Sequence, residues 1–184
     1  YADYCRGAES SECAQKMTVA LIKGNGFTSP RPMAAKVAKA LEIKLMEVGP
    51  NTDSLKEAIS VLLDQGVTSR KPKIVQASAS LILEAAQSFG AACLPLASVS
   101  SSLPKLLAHS NKSVRDTAME IVAELCRALG SKAPMNGVIE KMKKAQVKDL
   151  DSLLEKQPAS TPVTVGFRSQ RAGGAGENPA SAEE

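Results

Sequence analysis

The sequence predicts an all-α fold, an α-solenoid of stacked helix pairs. Three observations carry that expectation: an apolar palette nearly without aromatics, a segment that aligns on itself 40 residues later, and a glycine closing each long apolar stripe. Hydrophobic residues make up 43% of the 184-residue chain and aromatics 3%, with no Trp. Its apolar content is therefore mostly Ala, Leu, Val and Ile, which suits closely packed helices. A β-sandwich of this size would use more aromatic and β-branched residues.

The repeat fixes the architecture. SRKPKIVQASASLILEAAQSFG (Ser69 to Gly90) aligns without gaps with HSNKSVRDTAMEIVAELCRALG (His109 to Gly130), an offset of 40 residues. Ile74 falls on Val114, Ser78 on Ala118, Leu81 on Ile121, Glu84 on Glu124, and Gly90 on Gly130. Gly49 lies 41 residues before Gly90, which lays Met33, Val37, Leu41 and Val48 on Ile74, Ser78, Ile82 and Phe89. A period of 40 to 41 sits in the range of roughly 40–47 residues of HEAT and armadillo repeats. Because one pair cannot bury its stripe alone, the pairs must stack.

Taken in chain order, residues 1–8 read as the end of a segment between repeats, and 9–157 as HEAT repeats. Cys13, Met17, Ala20 and Leu21 mark the first helix of the first unit (9–49), and Gly24-Asn25-Gly26 a flexible turn after it. Leu55, Ile59, Leu62 and Leu63 mark the first helix of the second unit (51–90). Val99, Leu103, Leu106 and Leu107 mark that of the third (95–130), whose long helix carries Val114, Ala118, Ile121, Val122, Leu125 and Leu129 at helical spacing. Gly49, Gly90 and Gly130 are expected as left-handed stops. Residues 135–157 read as a degenerate pair covering the open end, with Val138, Ile139 and Met142 in one helix and Val147, Leu150, Leu153 and Leu154 in the other. Residues 158–184 follow as an extended segment and a Gly/Ala/Glu-rich disordered linker. The chain opens at Tyr1 without an initiator Met or a charged-then-apolar leader, which reads as a piece of a longer protein rather than a secretory precursor.

The chemistry the sequence favours is binding, not catalysis. No apolar run approaches the roughly 20 residues that span a bilayer. Cys5, Cys13, Cys93 and Cys126 are scattered and read as free thiols of a cytosolic protein. With a lone His109 and no C-x-x-C pair, no zinc pattern forms, so neither metal nor cofactor is expected. Gly24-Asn25-Gly26 lacks the strand and the Gly-Lys-Ser/Thr of a phosphate cradle. His109, at a turn, reads as an exposed bystander. The net charge of +4 favours an acidic partner. In a helix-pair solenoid the turns inside successive pairs line one edge, and here they carry cations without acids. Lys23 and Arg31 lie in the first, Arg70, Lys71 and Lys73 in the second, and Lys112 and Arg115 in the third. Polar turns are often merely solvated, but three of one sign make a basic ridge. Arg115 has Val75 at the equivalent position of the previous repeat, so it serves either its own fold or a partner. The absence of interleaved aromatics argues against nucleic acid.

These segments, together with the closing QVKDLDSLLEKQPASTPVTVGFRSQR, resemble the TOG domains of the microtubule polymerase family over roughly residues 9 to 171. The order is most similar to the second half of a first TOG domain. The resemblance implies a paddle of HEAT repeats whose intra-repeat turns bind αβ-tubulin and help feed it to growing plus ends. For this stretch it implies mainly the α-tubulin side, a monomeric module in a multi-domain chain, and a location on cytoplasmic microtubules, spindle or centrosome. Carried over, Lys71, Lys73, Lys112 and Arg115 match basic positions of the family's turns and Arg31 lies near one; with Arg70 of the same ridge they make up the expected tubulin-binding set. Ala128 stands where the family often has an aromatic, and the first turn is altered by Gly and Pro, so the resemblance implies weak, salt-sensitive binding. The other reading is a HEAT scaffold docking a different acidic protein.

Overall fold

The computed structural model describes residues 8–47 and 54–162. Among them lie eight α-helices and no strand: α1 (Ala8–Lys23), α2 (Pro32–Met46), α3 (Ser54–Val61), α4 (Pro72–Phe89), α5 (Leu96–Leu107), α6 (Lys112–Ala128), α7 (Asn136–Ile139) and α8 (Lys144–Lys156). α3 runs on as a π-helical turn over Leu62–Val67. The helices form two layers. α1 packs on α3, the π turn on α5, and α5 on α7; in the other layer α2 packs on α4, α4 on α6, and α6 on α8. First helix on first helix and second on second is the stacking of a HEAT solenoid, and the core is the seam between the layers.

The apolar positions expected in α3, α5 and α6 fill that seam. Ile59, Leu62, Leu103, Ile121, Val122 and Leu125 are wholly buried, each such side chain contributing roughly 1.5–3 kcal/mol by leaving water. Gly66 permits a close approach between layers: a Cβ there would lie 2.1 Å from Ser78 Oγ on α4. Any side chain at this point of the π turn would push α3 off α4.

Two helices of the first pair bury a different face from the one expected. On α1 the core line is Ala14, Thr18 and Ile22, while Cys13, Met17 and Leu21 are half-buried and Ala20 is exposed. On α2, Met33, Val37 and Leu41 are 71%, 59% and 38% exposed, and Ala38, Glu42, Ile43 and Met46 are buried instead. The cause is register. Pro32 opens α2 as Pro72 opens α4, so the offset is 40, not 41, through the helix. Val37 and Leu41 then match Ala77 and Leu81 on α4, and Thr117 and Ile121 on α6, all buried. Those later positions face the preceding long helix, as the 2.9 Å hydrogen bond from Gln76 Nε2 to Thr117 Oγ1 marks. No described residue covers the corresponding face of α2.

The helix ends follow glycine chemistry only in part. After α6, Gly130 has φ 64°, and its N–H donates to the Arg127 carbonyl while that of Ser131 donates to the Cys126 carbonyl, a Schellman stop. Gly90 has φ 89° but ψ 136°, a conformation open to glycine that leads straight into the next segment rather than a left-handed cap. Gly49, Val48, Cys5 and residues 163–184 lie outside the described residues. Cys13 and Cys93 are half-buried and Cys126 is buried, and none of the three is in a disulfide.

Candidate partner-binding edge

Three turns join the helices of successive pairs, and each is fastened in the same way. Ser29 Oγ accepts the backbone N–H of Arg31 at 3.3 Å, Ser69 Oγ that of Lys71 at 3.2 Å, and His109 Nδ1 that of Asn111 at 3.0 Å. Each acceptor bonds two residues ahead, the local motif by which short polar side chains stabilise turns. His109 is therefore half-buried and structural, not an exposed bystander. In the third turn Asn111 Oδ1 also accepts the Ser113 N–H at 2.9 Å, capping α6.

The first turn has a specific backbone geometry. Asn25 adopts a left-handed conformation (φ 55°, ψ 29°), and a Cβ on Gly24 would lie 2.9 Å from the Ala20 carbonyl. Phe27, 4% exposed, anchors the turn from beneath.

The turns are neighbours. Lys71 Nζ donates to Asn25 Oδ1 at 3.2 Å, joining the second turn to the first. A shallow groove of about 360 Å³ is lined by Phe27, Thr28 and Ser29, by Pro72 and Lys73, and by Asn111 and Ser113, so residues of all three turns share it. Arg31, Arg70, Lys71, Lys73 and Lys112 are all exposed. Among the described residues the side chains of Arg31, Arg70, Lys73 and Lys112 make no hydrogen bond or ion pair, which leaves their charges available to a partner.

Arg115 is different. Its Nη1 donates to the carbonyls of His109 at 2.7 Å and Ser110 at 2.8 Å, so the guanidinium clamps its own turn. Val75 cannot do this in the preceding repeat, where the Ser69 hydroxyl fastens the bend without an arginine clamp.

A fourth turn extends the edge, and the sequence reading passed over it. Lys141, Lys143 and Lys144 lie exposed around the junction of α7 and α8. Lys143 and Gln146 line one groove with His109, Ser110 and Arg115. Gln146 ties the turns together, accepting the Lys143 N–H and donating to the Leu107 carbonyl, both at 3.0 Å. The signal was present as three lysines in four positions, but it sits about 30 residues beyond Lys112, short of the repeat period. Among the described residues no helix is long and apolar enough to cross a membrane, and no His, Cys, Asp and Glu cluster could hold a metal ion.

Residues 1–154 match the family described as XMAP215/Dis1/CLASP, TOG domain. The chain belongs to that family. Among its curated TOG relatives, the spindle pole body component alp14 of Schizosaccharomyces pombe is 27% identical over 89% of this chain, which spans 20% of that protein. The centrosomal protein 224 of Dictyostelium discoideum is 28% identical over 85% of the chain and 8% of its own length. Protein MOR1 of Arabidopsis thaliana is 28% identical over 62% of the chain and 6% of its own. This TOG chain thus spans a fifth or less of these relatives. Its fold also matches a structure solved for tubulin recruitment and assembly by microtubule polymerases with TOG domain arrays. The TM-score is 0.78 at 19% identity, covering 94% of this chain and 36% of that one.

Proposed function

We propose that this TOG chain is a tubulin-binding module of a microtubule polymerase, meeting the acidic surface of αβ-tubulin with the edge built from its turns. One observation carries the reading: cation-bearing turns from successive helix pairs share a single border, with Arg31, Arg70, Lys73 and Lys112 unpaired on it. Lys71 joins them while bracing the first turn, Lys143 extends the row, and Arg115 acts by holding the third turn in shape. By family resemblance this half of the module takes the α-tubulin side. In the whole protein it serves plus-end growth on cytoplasmic microtubules, at the spindle or centrosome, as a monomeric unit among several domains. Exposed cations of this kind chiefly speed association and set orientation, so binding is salt-sensitive and modest in strength.

The test is co-migration with unpolymerised αβ-tubulin in gel filtration at low salt. Reversal of Arg31, Arg70, Lys73 and Lys112 to Glu weakens co-migration by at least about tenfold; Lys71 and Arg115 are left intact because both have work inside the fold. Equal co-migration of reversed and unaltered chains would retire the edge. No binding by either, with capture of another acidic protein by the unaltered chain alone, would favour a general scaffold.

A further inference from the structure

After α8 residues 157–162 form a non-helical segment that bends at Ala159 and returns to α6 at Thr161. There the Thr161 N–H donates to Glu124 Oε1 at 2.9 Å and its hydroxyl to Oε2 at 3.3 Å. Glu124 is 1% exposed and also accepts from Arg127 Nη2 at 3.1 Å and Nε at 3.3 Å. Glu84, the equivalent residue one repeat earlier, is exposed and makes no hydrogen bond or ion pair among the described residues. The returning segment and Arg127 thus account for a carboxylate that is buried in one repeat and solvated in the other.

Thr161 is followed by Pro162, and Pro158, Ala159 and Pro162 are exposed around it. Proline directly after the acceptor, in a non-helical segment, is the pattern that proline-directed serine/threonine kinases read. We propose that Thr161 is a phosphorylation site and that its modification releases this segment from α6. The Thr161 hydroxyl attacks the γ-phosphorus of ATP, the bond to the β-phosphate oxygen breaks, ADP leaves, and the hydroxyl proton passes to the kinase's base. The product carries a charge of about −2 and has lost the hydroxyl donor. Returning it to its place would set that charge against the buried Glu124 carboxylate, to which Arg127 is already bonded through Nη2 and Nε. Like-charge repulsion and desolvation both oppose redocking. The kinase meets the segment when it is undocked, and the phosphate keeps it there.

The chain has two Ser/Thr-Pro pairs, Ser29-Pro30 and Thr161-Pro162, so phosphate must be mapped by mass spectrometry after treatment with a proline-directed kinase and ATP. Deuterium exchange at the Thr161 amide then reports docking. Before treatment that amide is protected at least tenfold over a free peptide of the same sequence, and after phosphorylation the protection is lost. Thr161→Val retains most of it, because the amide donor remains. Phosphorylated Glu124→Gln keeps more protection than phosphorylated unaltered chain, because the repelling charge is gone. Failure to modify Thr161 under conditions that modify the free peptide, unchanged protection after modification, or equal loss in Glu124→Gln would each overturn the proposal.

Discussion

The first helix pair and the two that follow share their turn chemistry but not their core. At one register position α4 carries Ile82, α6 carries Val122, and α2 carries Glu42, all three buried. Glu42 Oε1 and the Ala14 carbonyl both lie within hydrogen-bond distance of Thr18 Oγ1, at 2.6 and 2.7 Å. One hydroxyl proton cannot serve two acceptors. A protonated Glu42 resolves the conflict, donating to Thr18 while Thr18 donates to Ala14, and burial pushes the Glu42 pKa up to about 7 despite Thr18. Its Oε2 has no partner. On the opposite side of α2, Met33, Val37 and Leu41 face solvent where the later pairs are covered. The turns are thus a constant, whereas the helix faces depend on what stacks against them.

The largest expected difference comes from truncating one register position in two repeats. Leu81→Ala removes a wholly buried side chain and should cost about 2–5 kcal/mol in denaturant unfolding. Leu41→Ala, its 38% exposed counterpart, should fall within about 0.5 kcal/mol of the unaltered chain. Equal losses would mean that the two faces are packed alike.

The next effect is a pH slope confined to the first pair. The Glu42 pKa is raised from 4.5 to about 7, so the neutral acid favours folding. Its stabilisation is complete below pH 4.5, falls as the unfolded chain ionises first, and is gone once pH passes about 7. The shift corresponds to roughly 3 kcal/mol. Amide exchange in α2 should accelerate between pH 5 and 8 beyond its intrinsic base-catalysed rise, and Glu42→Gln should abolish that excess. A matching excess in α6 would show that the slope belongs to the whole stack.

The smallest effect separates fastening from display within the turns. Asn111→Ala deletes the α6 cap and should lower stability by about 1 kcal/mol. Arg31→Ala, which removes an exposed and unpaired charge, should leave thermal unfolding within about 0.5 kcal/mol while weakening tubulin co-migration. If both changes destabilise the chain alike, Arg31 has a role inside the fold.

The layered architecture was legible because a gapless self-alignment carries helix, turn and stripe together, and apolar positions in α3, α5 and α6 have only one seam to fill. The α2 face differs from expectation because Gly49 does not hold the register. The bend, with Ser29 and Pro32 matching Ser69 and Pro72, holds the register, and the extra residue falls later. The candidate edge was legible as charge in turns. What periodicity could not give was the internal work of Lys71, Arg115 and His109, since hydrogen bonds to a neighbour's amide or a turn's own carbonyls leave no spacing signal. The fourth turn escaped because it breaks the period, and Glu124 because its partner Thr161 lies 37 residues away in a segment without a burial pattern.

Because Ser29, Ser69 and His109 each fasten their bend from within, the side chains displayed between those fasteners are freed from any duty to the scaffold. Arg31, Arg70 and Lys112 can be exchanged one at a time, in a laboratory or over generations, and the frame that presents them stays as it was. A border of this construction is easy to re-letter for a new counterpart, while the helices behind it tolerate almost no editing.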